Sequence, residues 1–222
     1  MNQILNSLIV LFLLYATNLQ AHEIWLVKAD TNQVHLFLGE PGDAESGDNI
    51  SGLRNTKIYT DTISNSIPIV QHQTHWSAKV TQEGDVRATI DDLWQPWDME
   101  EVPTWQFWKS SKKQAAKLFA KAGRNDTKSK TEFEFVPVSA QSNTFILTYL
   151  NKPVQEHSVM VLTPNKTLIK SLTNKQGEIT ISTDITGLYV ISSDYPVDGK
   201  TMIAGNNVDS TFNITSISFW VK

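Results

Sequence analysis

The last third of the chain alternates short apolar runs with turn signals, and that punctuation constrains the fold more than any other feature. Residues 132–138, 144–150, 157–162, 167–172, 178–182, 187–193 and 211–221 read as seven short strands. Asn151-Lys152-Pro153, Pro164-Asn165, Asn174-Lys175-Gln176-Gly177 and Asp198-Gly199 supply turns between them. Seven strands at that spacing predict a β-sandwich of immunoglobulin-like type.

The preceding part is also mostly strand-like. Residues 23–29 and 34–38 flank the turn cluster Asp30-Thr31-Asn32 and read as a pair. An acidic, glycine-rich stretch, residues 39–52, is a loop by composition. Strand segments follow near 56–63, 67–72, 75–80 and 86–90, with Gly84-Asp85 marking a hairpin between the last two. The character then changes. Trp94, Trp97, Trp105 and Trp108 crowd together with Pro96 and Pro103. From Pro103 the spacing of Trp105, Trp108, Ala115, Ala116 and Phe119 predicts a helix over about 103–122, with Gly123 as its C-cap. The polar run 125–130 reads as a linker, placing a domain boundary near 130.

The chain opens with an apolar run, Leu8 to Tyr15, followed by polar residues and then Ala21-His22. This is read as a signal peptide over 1–21, cleaved after Ala21. The run is short of the ~20 apolar residues a bilayer span needs, so no stable membrane insertion is expected after processing. The absence of cysteine rules out disulfides and thiolate metal sites and fits a bacterial envelope, making the protein periplasmic or secreted. A net charge of −4 excludes a general nucleic-acid-binding surface.

Cleavage after Ala21 would make His22 the first residue, and its free amine and imidazole form a bidentate chelate. The other histidines are His35, His72, His75 and His157. Without cysteine, a transition-metal site must draw on these, on carboxylates and on the terminus, which suits copper, nickel, cobalt or zinc. His35 lies on the strand expected to pair with 23–29. His72 and His75 form an H-x-x-H pair that could ligate together only across a turn or bulge. His157 reads as an exposed strand-edge residue. Glu40, Asp43, Glu45 and Asp48 sit on the acidic loop, whose spacing is not that of an EF-hand. Trp94 and Trp97, among Asp91, Asp92, Gln95 and Asp98, could instead form a carbohydrate-stacking loop. No G-x-S-x-G, H-E-x-x-H or phosphate-binding glycine loop is present, so no enzyme is expected.

Several segments resemble one family. They are His22-Glu23-Ile24-Trp25-Leu26, Leu38-Gly39-Glu40 with Glu45 soon after, Ala116-Lys117-Leu118-Phe119-Ala120-Lys121-Ala122-Gly123, the stretch from Phe145 to Tyr149, Asn151-Lys152-Pro153-Val154, and residues 183–189. Together they resemble the DUF4198 type of bacterial periplasmic proteins, often labelled periplasmic components of cobalt/nickel transport. The last group is similar to small transthyretin-like sandwiches. The resemblance implies a metal-related role in the envelope and keeps Glu40 and Glu45 as candidate carboxylate ligands near the terminus. The expectation is therefore an all-β chain. It has an N-terminal sandwich (22–130) with one helical insertion and a C-terminal immunoglobulin-like or transthyretin-like sandwich (131–222). The expected function is transition-metal binding (nickel, cobalt or copper) in uptake or homeostasis, anchored at His22. His35, His72, His75 and Glu40 are the candidate further ligands, and a membrane transporter component is the expected partner. The alternatives are a carbohydrate-binding or adhesion module and a structural accessory subunit of a transporter.

Overall fold

The computed structural model describes residues 22–30, 32–100 and 111–222, and these are predominantly strands. In chain order they are β1 (Glu23–Lys28), β2 (Gln33–Glu40), β3 (Asp43–Ala44), β4 (Lys57–Tyr59), β5 (Ile69–Gln71), β6 (Trp76–Lys79), β7 (Val86–Ile90), β8 (Trp97–Asp98) and β9 (Lys113–Ala122). After residue 130 come β10 (Phe133–Pro137), β11 (Thr144–Tyr149), β12 (Lys152–Pro153), β13 (Ser158–Leu162), β14 (Leu168–Leu172), β15 (Glu178–Thr180), β16 (Gly187–Ile203) and β17 (Asn206–Val221). The helical content of the described residues is two 3-10 segments, Gly47–Asn55 and Ile63–Asn65.

The strands form three sheets. The first runs β1-β2-β6-β5, with β3 on β2. The second, larger one runs β14-β13-β16-β17-β9-β7-β4, with β8 on β9. The third is β10-β11-β12, with β15 on β11. The large sheet lies in the middle. On β9 the even residues Ala116, Leu118, Ala120 and Ala122 join the core shared with Ile24, Leu26, Leu36 and Leu38 of the first sheet. Phe119 points the other way, into a second core with Phe133, Phe135, Phe145 and Leu147 of the third sheet. β17 alternates likewise, giving Ile214 to one core and Ile217 and Phe219 to the other. Period-two alternation thus buries both faces of the middle strands.

The helix expected over 103–122 is corrected where the chain is described. Residues 113–122 form β9, paired with β7 on one side and in parallel with β17 on the other. A central strand buried on both faces carries apolar residues at nearly every position, and so loses the alternation that marks a half-buried strand. Trp105, Trp108 and the rest of 101–110 lie outside the described residues. Gly123 ends β9 with φ +110°, and a Cβ there would collide with the Asp85 carboxylate. Two turn expectations change as well. Gly84-Asp85 carries the chain from the first sheet to the middle one, since β6 and β7 do not pair. Asp198-Gly199 falls at a register shift inside β16, and the hairpin turns at Ala204-Gly205. The boundary expected near 130 falls between strands of one continuous sheet: β4, β7 and β9 precede it, and β13, β14, β16 and β17 follow it.

Where the middle and third sheets meet, a buried ionic cluster replaces apolar packing. The Glu134 carboxylate accepts from Arg87 Nη2 at 2.8 Å and Lys121 Nζ at 3.0 Å. The backbone N–H groups of Lys130 and Thr131 donate to its other oxygen at 2.9 and 3.0 Å. Arg87 also reaches Asp126 at 2.8 Å. Burial alone would raise the pKa of Glu134, but Lys121 and Arg87 outweigh it and hold the group at about 2. The folded value lies below the unfolded one of 4.5, so Glu134 stabilises the fold fully above that pH and loses its contribution as pH falls through about 2. Glu134→Ala removes the carboxylate that two buried cations share, leaving Arg87 only Asp126 and Lys121 only the more distant Asp85, and is predicted to cost about 3–5 kcal/mol in urea unfolding at pH 7. A cost below about 1 kcal/mol, the scale of an exposed pair, or an acid-insensitive stability would contradict this account.

Candidate metal centre

The outer face of the first sheet brings three of the five histidines together. β5 and β6 are joined by the tight turn His72-Gln73-Thr74-His75, closed by His72 N–H donating to the His75 carbonyl at 2.8 Å. That turn is what the H-x-x-H pair needed, because it returns the chain and sets the two rings face to face. Their centroids are 4.6 Å apart with planes tilted by 17°. On β2, His35 lies opposite Ser77, two residues along β6 from His75. It therefore shares a face with His75, and the two rings stack at 4.1 Å and 30°. His75 is the middle ring of the column. The column continues over apolar rings, His75 to Phe37 at 5.6 Å and Phe37 to Trp25 at 5.4 Å.

Hydrogen bonds and electrostatics tune the column. His72 Nε2 lies 2.8 Å from Ser77 Oγ, and His75 Nδ1 lies 3.2 Å from Thr74 Oγ1. Burial and the neighbouring His72 push the His35 pKa below the usual histidine value, with Asp30 pulling the other way. Burial, His35 and His72 lower that of His75. Both rings are therefore neutral at pH 7, the form that ligates metal. Stacked rings hold their nitrogen lone pairs in separate planes. Accordingly, no three His, Asp or Glu side chains among the described residues already surround a common point. Side-chain rotation of the partly exposed His72 and His75 would be needed to converge them, a motion of picoseconds to nanoseconds for such residues.

His22 and Glu40 fall elsewhere. In the β1–β2 register Val27 faces His35, whereas Glu23 faces Gly39. Five residue steps along β2 separate His35 from Glu40, or roughly 16 Å at strand rise. At that far end Glu40-Pro41-Gly42-Asp43 makes a tight turn, with Gly42 at φ +96°, the residue a type II turn requires. The turn returns Glu45 to the start of β1, where its carboxylate lies 2.8 Å from His22 Nε2. Glu40 is exposed beside it. His157 joins neither group, its Nε2 lying 2.5 Å from the Asp194 carbonyl. Trp94 and Trp97 are partly buried, packed against the first core. Residues 1–21, read from the sequence as a signal peptide, lie outside the described residues. No helix among the described residues is long and apolar enough to cross a membrane.

Two residues that sequence reasoning passed over take part. Ser77 holds His72 across the β5–β6 hairpin, and only the pairing of those strands reveals it. Glu23 is buried next to His22, with Oε1 lacking any partner. Burial raises its pKa to about 8, Glu40 and Asp194 add to the rise, and Ser192 opposes it. The odd-numbered alternation of Glu23 with Trp25 was the available signal.

Imidazole NMR titration of the metal-free protein should find His35 and His75 protonating below the ordinary value of about 6.5, with His72→Ala returning both toward it. Because the folded values lie below the unfolded one, stability is whole above about pH 6.5 and declines as pH falls through the folded values. Ordinary or raised values for both rings would contradict the stacked arrangement. Comparison with models of known protein families and with curated proteins returns no match for this chain.

Proposed function

We propose that this is an exported, periplasmic transition-metal-binding protein acting in metal uptake or homeostasis, with His35, His72 and His75 as its metal-binding side chains. One observation carries the reading: three imidazoles stack on the outer sheet face, His75 between His35 at 4.1 Å and His72 at 4.6 Å. Three imidazoles with no thiolate and no carboxylate among them form a borderline donor set, suited to copper, zinc, nickel or cobalt rather than to calcium or magnesium. Ser77, hydrogen-bonded to His72, would orient one ligand as outer-shell partners do. Trp25 and Phe37 supply an apolar flank that limits water access.

The His22–Glu45 contact supports a second reading, in which the terminal amine and imidazole of a chain beginning at His22 hold the metal. Calorimetric titration of the processed protein with Cu(II), Ni(II), Co(II) and Zn(II) at neutral pH separates the two. Under the first reading His75→Ala weakens binding at least tenfold, while His22→Ala or one residue added before His22 changes it less than twofold. The reverse pattern would move the site to the terminus. No binding of any of the four metals would overturn both.

A further inference from the structure

The middle sheet ends in a bare strand. β14 pairs with β13 on one side, and no described strand pairs with it on the other. Main-chain hydrogen bonds at the two ends of this ladder fix which residues turn outward. Thr173 N–H donates to His157 O at 2.9 Å, and Thr163 N–H donates to Thr167 O at 3.0 Å. In an antiparallel pair alternate residues bond to the partner strand. Thr167, Ile169, Ser171 and Thr173 therefore face β13, and Leu168, Lys170 and Leu172 hold their N–H and C=O groups outward. We propose that this edge binds an extended acidic peptide segment of a partner protein, which adds to the middle sheet as an antiparallel strand, independently of any metal bound to the histidines.

Three features carry the assignment. The strand is apolar and open: Leu168, Ile169 and Leu172 are 46, 48 and 61 % exposed. Leu168 and Leu172 share one sheet face with Lys170, and Ile169 lies on the other, so an added strand would cover apolar surface on both faces. The β13–β14 hairpin is also a basic segment of an acidic chain. Residues 157–177 hold Lys166, Lys170 and Lys175 and no carboxylate, whereas the whole chain has 23 acidic residues against 19 Lys and Arg. Among the described residues none of these three lysines is in a salt bridge. Finally, the edge lacks the devices that blunt another free edge of the same sheet. Beyond its pairing with β13, β16 carries Pro196 and a register shift between Asp198 and Thr201. β14 has neither a proline nor a bulge.

The same residues select against a second copy and against a bilayer. The one antiparallel self-pairing that uses all five residues of β14 sets Lys170 opposite Lys170 of the second copy, and like charges directly opposite oppose it. A bilayer would cover the leucines but leave the outward N–H and C=O groups in hydrocarbon without partners. An acidic strand answers every requirement. Its main chain pairs with Leu168, Lys170 and Leu172, its apolar side chains lie beside Leu168, Ile169 and Leu172, and a carboxylate opposite Lys170 completes a cross-strand ion pair.

The test is an amide NMR titration of the metal-free mature chain with the end-capped peptide Thr-Val-Thr-Glu-Val-Val-Thr, whose glutamate falls opposite Lys170 in antiparallel register. Saturable shifts over residues 166–173 are expected, with slowed hydrogen exchange at the Leu168, Lys170 and Leu172 N–H groups. A peptide with lysine in place of the glutamate should bind about tenfold more weakly, and Lys170→Glu should reverse that preference. Leu172→Pro removes an outward N–H without touching the β13 ladder, so it too should weaken the acidic peptide. Each variant is read with the wild-type amide spectrum retained elsewhere. Absence of saturable shifts, or equal affinity for the two peptides, would overturn the proposal. So would concentration-dependent shifts over 166–173 without peptide, which would make the edge a contact between copies. Shifts of the same residues with phosphatidylglycerol vesicles and not with the peptide would make it a membrane contact and overturn the proposal as well. Because metal-free protein is used, failure here leaves the histidine reading untouched.

Discussion

The arrangement rests on how the free edge of β1 is closed. β1 pairs with β2 on one side only, leaving the carbonyls of Ile24, Leu26 and Lys28 without strand partners on the other. Three residues of β17, also spaced by two, meet them. Ser216 donates to Ile24 O at 2.7 Å, Ser218 to Leu26 O, and Trp220 Nε1 to Lys28 O at 3.1 Å. Side chains thus do for this edge what another strand would do, satisfying buried acceptors and blocking association through an open edge. They also fix the angle at which the first sheet stands on the middle one. β2 and the β5–β6 hairpin follow from β1, so the imidazole column is held by a ladder that begins on the last strand of the chain.

That long-range dependence explains what the sequence could and could not reveal. Strand positions were largely legible, because alternation and turn residues are local signals. β1, β2, β10, β11, β13 and β14 fall close to where periodicity puts them. The β9 segment was misread as helix because its neighbours lie far away in sequence. Without knowing that β7 and β17 flank it, a run such as Ala115-Ala116-Lys117-Leu118-Phe119-Ala120 gives no sign of two-sided burial. The bulge at Asp198 was misread for a similar reason. A Gly after Asp signals a turn, and only the length of the pairing between β16 and β17 reveals that the strand continues.

The candidate site was legible in its parts and not in its assembly. The H-x-x-H pair was recognised as needing a turn, and the turn is there. The pairing of 23–29 with 34–38 was also read correctly, yet its register separates His22 from His35 rather than joining them. Register is set by the connection between β1 and β2, closed by Ala29 N–H donating to Gln33 O, and by which face is buried, neither of which a count of histidines contains. The first sheet therefore carries two distinct chemistries. One end of its outer face holds the stacked imidazoles, and the other end holds the His22–Glu45 contact beside the buried, protonated Glu23.

The central claim is that the stacked imidazoles, and not the chain terminus, bind the metal. Pulsed EPR of the protein loaded with one equivalent of Cu(II) tests it most directly, because remote imidazole nitrogens give a countable modulation. The account predicts coupling to three imidazoles in the wild-type protein and to fewer in His75→Ala. A spectrum showing a single imidazole with an amine nitrogen, unchanged in His75→Ala, would contradict it.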